Sequence, residues 1–212
     1  ASDVYKRQVE GPITGNIARG NRGIGLFVKA SDDMQGPAAS VSNNLADGNG
    51  GDGILVSIGE DLEAGAQISD NRAFGNGGNG IFIQVAEETD AAFTGPPPFL
   101  PVLIDGNTAN NNRGNGIFFS GNGFDASSFS FNQAHNNGGN GLRFILDPAM
   151  VGGDFVEFED FARFIANDSR FNGGFGVESQ VVVDFGTTID FGNNFFGNTA
   201  GPTNDLIDPL GF

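Results

Sequence analysis

Ile68-Ser69-Asp70-Asn71-Arg72-Ala73-Phe74-Gly75-Asn76-Gly77-Gly78-Asn79-Gly80-Ile81-Phe82-Ile83 decides the fold. Counted from Gly80, it places aliphatic residues at +1 and +3, Asn at −4 and −9, Ala at −7 and Ile at −12. The frame recurs on Gly25, Gly53, Gly80, Gly116, Gly141 and Gly176, spaced 28, 27, 36, 25 and 35 residues apart, with a seventh copy 26 later at Pro202. Four before each anchor stand Asn21, Asn49, Asn76, Asn112, Asn137, Asn172 and Asn198; nine before stand Asn16, Asn44, Asn71, Asn107, Asn132, Asn167 and Asn193. Fourteen hits in fourteen positions are not what 24 Asn among 212 residues place by chance. The chain is a repeat, and periods of this length build stacked coils.

Between the Asn positions the pattern has the period of strands. Ala18, Ala46, Ala73, Ala109 and Ala134 occupy −7, with Ser169 and Phe195 in the last two copies. Position −12 is Ile13, Val41, Ile68, Ile104, Phe129 and Phe164, and +1 is Leu26, Ile54, Ile81, Ile117, Leu142 and Val177. Alternation over three to five residues, interrupted by Asn and Gly, reads as short strands joined by tight bends. Three strands per period pair with their equivalents one period on, about 4.8 Å along an axis. An Asn at each bend can then bond its own copy in the next coil, satisfying turn polarity inside the stack. The glycines are expected to supply bends of positive φ.

The pattern Ile-x-x-Asn-x-Ala-x-x-Asn-x-x-x-Gly-Ile-x-Val resembles the parallel β-helix repeat of the pectin-lyase-like, right-handed β-helix superfamily over roughly residues 11–205. The expected fold is therefore all-β: a single right-handed parallel β-helix of about seven turns, about 34 Å long, with two Asn ladders and the Ala row facing in. The period excludes a left-handed hexapeptide coil. Gly-Gly-Asp-Gly at 50–53 does not recur every nine residues, which argues against nonapeptide calcium repeats. Two periods carry long insertions, 84–102 with Pro96, Pro97, Pro98 and Phe99, and 146–163 with Phe155, Phe158 and Phe161. Both leave from the corner after the +1/+3 strand; the resemblance implies that loops there wall a substrate groove.

Composition bounds the partners. Asp and Glu outnumber Lys and Arg by 26 to 10, a net charge of −16, with pI near 4.1. No basic surface exists to neutralise phosphates, so nucleic acid and anionic membranes are excluded as direct partners. No apolar run is long enough to span a bilayer as a helix. Without Cys there is no disulfide framework, thiolate nucleophile or Cys-based metal site. Ala1–Gln8 reads as a non-native leader resembling translated adapter sequence of the kind at the ends of metagenomic gene models, which leaves 9–212 as one β-helix domain.

Three sets of residues are candidates for function. Arg143 and, one turn later, Glu178 stand at +2 and pair as surface ions; before them the same outward row holds Phe27, Leu55, Phe82 and Phe118. An apolar stripe outside a sheet means contact or cover, so Phe27, Phe82, Phe118 and Arg143 are the substrate-binding candidates, with stacked sugar rings as one ligand. Asp32-Asp33, Glu60-Asp61 and Glu87-Glu88 recur at +7 and +8 in three consecutive turns, followed by Glu63 and Asp90 at +10. Carboxylates stacked this way repel, and calcium, which takes irregular oxygen sites, would relieve the repulsion; without it they form a solvated acidic rim. His135, the one imidazole, occupies a variable outward position and reads as surface.

No catalytic residue is assigned. The Asp-Pro-His-Asp signature of the superfamily's alginate epimerases is missing, since Asp147-Pro148 and Asp208-Pro209 continue into Ala149 and Leu210. The polygalacturonase set is missing as well. The leading expectation is a secreted or cell-surface module, leaning non-catalytic, that engages polysaccharide or a neighbouring protein through a flat sheet face. The alternatives are a lyase, epimerase or glycoside hydrolase acting on acidic polysaccharide, and a structural segment of a larger adhesin.

Overall fold

In a computed structural model, the described residues are 2–6, 11–36, 38–86, 89–90, 102–121, 128–145, 163–179 and 193–203. They form a right-handed parallel β-helix built from three long parallel sheets. The eight-stranded sheet stacks Ser2–Lys6, Leu26–Ala30, Ile54–Ile58, Ile81–Val85, Ile117–Ser120, Leu142–Ile145, Phe175–Ser179 and Gly201–Thr203. A six-stranded sheet, here the alanine sheet, stacks Ile17–Arg19, Leu45–Asp47, Arg72–Phe74, Thr108–Asn110, Gln133–His135 and Asp168–Arg170. The other six-stranded sheet runs through Ile13–Thr14, Ser40–Ser42, Gln67–Ser69, Leu103–Asp105, Ser128–Ser130 and Arg163–Ile165. Leu62–Glu63 and Thr89–Asp90 add a short two-stranded sheet at the corner after the eight-stranded one. Ser2–Lys6, read from sequence as a leader, pairs in parallel with Leu26–Ala30.

Register follows the repeat. Phe27, Leu55, Phe82, Phe118, Arg143 and Glu178 are in line across the eight-stranded sheet. In the first six coils the rows at −12, −7, +1 and +3 point inward and are buried, and Phe195 of the seventh packs against them partly buried. From Ile117 onward the core changes from aliphatic to aromatic. Phe129 packs edge-on to Phe144 at 5.2 Å and stacks on Phe164 at 5.7 Å between centroids. Ser169 takes the alanine slot without penalty, because its hydroxyl donates to the Gly176 carbonyl at 2.7 Å.

Both expected Asn ladders are present over all seven rungs. Each Asn donates its Nδ2 to the Oδ1 of the next coil's Asn at 2.9–3.1 Å, from Asn16 to Asn193 and from Asn21 to Asn198. The backbone N–H of each donates to the same oxygen, as from Asn76 to Asn112 at 3.0 Å. The second Nδ2 hydrogen of an interior rung reaches a main-chain carbonyl, for Asn112 that of Ala73. Every polar atom of the amide is thereby used, which is why ladder residues sit buried at no net polar cost.

A third ladder lies at −1. Asn79 donates its backbone N–H to Asp52 Oδ1 at 2.6 Å and its Nδ2 at 3.0 Å. Asn115 bonds Asn79, and Asn140 bonds Asn115, in the same way. The row ends with the Phe175 N–H on Asn140 Oδ1. Asp52, the acid of the isolated Gly-Gly-Asp-Gly, is its first acceptor.

Glycines supply positive-φ bends as expected at Gly15, Gly20, Gly48, Gly75 and Gly106; the anchor glycines are required for another reason. Gly80 does not lie at positive φ; a Cβ there would stand 2.6 Å from Asn112 Nδ2 and 2.7 Å from the Gly116 carbonyl oxygen. The anchor must be Gly because the next coil's Asn fills its side-chain space. Left-handed backbone falls instead one residue before the ladder Asn, at Gly20, Asn43, Gly48, Asp70, Gly106 and Asn111, for example. In the later coils two of these positions hold bulky residues, Phe131 at φ 55° and Phe171 at φ 58°.

Candidate functional site on the outer face of the large sheet

The outward +2 row of the eight-stranded sheet brings the substrate-binding candidates into one continuous line. Phe82 and Phe118, one coil apart, stack with centroids 4.5 Å apart and planes 9° apart. That separation matches the coil rise, so the rings stand normal to the axis and present their edges outward. The Arg143 guanidinium carbon lies 5.4 Å from the Phe118 centroid on the far side. Both faces of Phe118 are thus taken, and the expected platform for stacking sugar rings is instead a ridge of ring edges. Phe27 and Leu55 continue the ridge, half-buried like Phe82 and Phe118.

The ridge ends in a fixed ion pair. Arg143 Nε lies 2.7 Å from Glu178 Oε2, with both side chains about three-quarters buried. The Nε–H is not aligned on the carboxylate, so the contact is electrostatic rather than a directed hydrogen bond. The same Oε2 accepts Asn140 Nδ2 at 2.7 Å. Asn140 belongs to the third ladder, so the carboxylate is anchored to the coil's own hydrogen-bond network. Sequence register identified the Arg143–Glu178 pair; it missed Asn140, whose −1 row of Asp52, Asn79 and Asn115 was the available signal.

The acidic corner is partly as expected. Asp33, Asp61 and Glu63 each offer a carboxylate oxygen within 4.8 Å of the others, and all three are half-buried. Asp33 Oδ1 also accepts the Asp61 N–H at 3.1 Å, which ties the two coils together. Asp32 and Glu60 are not in the group, and Glu87 and Glu88 lie outside the described residues. Both long insertions lie mostly outside them too, including Pro96, Pro97, Pro98, Phe99, Phe155, Phe158 and Phe161.

His135 is outward, as expected, on the alanine sheet, but it is not isolated. Its Nε2 lies 3.1 Å from Asp168 Oδ2, which also receives Arg170 at 2.5 Å. Arg170 in turn sits over the ring of Phe196. On the third sheet, burial and, secondarily, the charge of Asp70 raise the Asp105 carboxyl above its ordinary range.

Two solved structures share this architecture. A double mutant of the periplasmic alginate epimerase AlgG matches with TM-score 0.60 and 14% identity, over 95% of this chain and 41% of that one. The Azotobacter vinelandii mannuronan C-5 epimerase AlgE4 A-module matches with TM-score 0.54 and 16% identity, over 93% of this chain and 56% of that one. At these identities the likeness is one of fold, and the chain spans about half the length of either. No curated protein matches the sequence significantly. Residues 4–201, nearly the whole repeat, match the family described as periplasmic copper-binding protein (NosD), and the chain belongs to that family.

Proposed function

We propose that the chain is a non-catalytic, extracytoplasmic β-helix module that engages a polysaccharide or a neighbouring surface protein through the outer face of its eight-stranded sheet. The observation that carries this reading is the half-exposed apolar ridge Phe27–Leu55–Phe82–Phe118, continuous over four coils of one sheet on a molecule of net charge −16. Such a stripe marks contact. Because ring edges face outward, a ligand lies across the ridge rather than stacking on it. Family membership and the periplasmic epimerase neighbour support a location outside the cytoplasm. The second reading, a carbohydrate-active enzyme, is favoured only by the activity in both neighbours' names.

Copper, the metal in the family's description, does not fit the donors present. Copper favours imidazole, thiolate and thioether ligands. This chain has one His and no Cys. His135 faces Asp168, Met34 is fully buried in the core, and Met150 lies outside the described residues. The carboxylates of Asp33, Asp61 and Glu63 suit a hard cation, of which calcium best tolerates an irregular oxygen set.

Affinity electrophoresis in gels containing soluble glycans, with Phe82→Ala/Phe118→Ala as control, tests the binding reading. Glycan- or protein-dependent retardation lost in the double variant supports it. Release of unsaturated uronate or C-5 inversion by the parent chain would replace it with the enzymatic one.

A further inference from the structure

We propose that Glu178 is a specificity-determining residue: its carboxylate occupies the place on Arg143 that an acidic sugar would take, and so reserves the ridge for uncharged ligands. The inference rests on the reading that the outer face of the eight-stranded sheet is the ligand-binding face. Four observations carry it. Arg143 is the one cation in the row formed by Phe27, Leu55, Phe82, Phe118, Arg143 and Glu178. Its guanidinium is held in place over Phe118 and ion-paired to Glu178 at 2.7 Å. Glu178 is not a swinging surface carboxylate, because Asn140 Nδ2 fixes the same oxygen at 2.7 Å and Asn140 is itself bonded to Asn115. In the adjoining +4 row of the same sheet Ser57, Gln84 and Ser120 carry no charge, and the cation of that row, Lys29, stands four coils away from Arg143.

The physical consequence is a sign choice. A planar guanidinium beside an apolar ridge is an anion receptor, since Arg recognises carboxylates better than any other side chain. Here the carboxylate is supplied from within and held by the ladder, so an incoming uronate finds a neutral pair. It also approaches a chain of net charge −16, which repels it at long range. An uncharged glycan meets neither obstacle. Removing the internal carboxylate while keeping its shape and its acceptor for Asn140 frees the receptor; Glu178→Gln does this.

The test compares the parent, Glu178→Gln and Glu178→Gln/Arg143→Ala in binding to polygalacturonate and to a neutral soluble glucan, with folding checked by far-ultraviolet circular dichroism. The parent is expected to show no Arg143-dependent affinity for polygalacturonate. Glu178→Gln gains about tenfold, the worth of one charge-assisted hydrogen bond; the gain weakens with salt and vanishes in the double variant. The ratio of polygalacturonate to neutral-glucan affinity therefore rises in Glu178→Gln. A folded Glu178→Gln that gains nothing overturns the proposal, as does a parent that binds polygalacturonate through Arg143. If the glucan is ignored by all three proteins while the uronate gain appears, the assignment of Glu178 stands and the polysaccharide-binding reading of the native face fails.

Discussion

Asn112→Ala is the sharpest test of what holds this fold together. Asn112 is 2% exposed in a middle coil. Its Oδ1 accepts the Asn76 N–H at 3.0 Å and Asn76 Nδ2 at 2.9 Å. Its Nδ2 donates to Asn137 Oδ1 and to the Ala73 carbonyl, both at 3.1 Å. Alanine keeps the backbone N–H bond to Asn137 and leaves the Ala73 carbonyl in its strand ladder, but orphans two buried N–H bonds of Asn76. At about 1–3 kcal/mol for each buried group left unpaired, the loss is about 2–6 kcal/mol, trimmed if a water enters the space. The end-rung substitution Asn16→Ala is the internal control. It removes the side-chain bond to Asn44 and a long, exposed one of 3.4 Å to the Thr14 carbonyl, orphaning no buried group, and should cost about 0.5–1.5 kcal/mol. Urea unfolding followed by circular dichroism at 218 nm reads both, with the midpoint shift converted through the slope. If Asn112→Ala and Asn16→Ala cost the same, the ladders are not cooperative hydrogen-bonded spines and the reasoning fails.

The remaining expectations concern charge and backbone strain. Asp105 has its carboxyl raised, first by burial and then by Asp70, so the folded state binds its proton more tightly than the unfolded chain. Its contribution is favourable at low pH and is lost as pH rises through the folded value. Asp105→Asn should therefore be more stable than the parent at pH 7, and the difference should close below the ordinary carboxylate range; urea midpoints measured from pH 3 to 8 decide it. Phe131→Asn should add about 1 kcal/mol by placing a residue tolerant of left-handed backbone at φ 55°; an unchanged or lower melting temperature would argue that Phe131 has packing the strain argument omits. Calcium raised from micromolar to millimolar should lift the melting temperature, by about 2.7 kcal/mol of stability at a hundredfold excess over Kd. Sodium at equal ionic strength should do much less, and Asp61→Asn/Glu63→Gln should erase the calcium increment; equal responses to both salts would reduce the acidic corner to a solvated rim.

Fourteen Asn in fixed frame with Gly anchors were enough to read coil, sheets, register and ladders from the sequence alone. In a solenoid each residue's neighbours are its own equivalents one period away, so one-dimensional spacing is already three-dimensional contact. That is why Arg143–Glu178 and the Phe82–Phe118 row were legible as neighbours. The −1 ladder escaped because its first member is Asp52 rather than Asn, and a change of acceptor breaks a pattern of letters without breaking the hydrogen bond. Tertiary structure alone decided what spacing cannot carry. It turned the phenylalanine faces onto each other, because rings repeating every coil rise stack along the axis. It selected Asp33, Asp61 and Glu63 from the acidic residues of that corner, because loop path rather than period places carboxylates outside the coil. It gave the anchor glycines their reason, since whether a Cβ fits depends on the Asn amide arriving from the next coil. Spacing determined which residues meet; only the packed chain determined which way each side chain faces when they do.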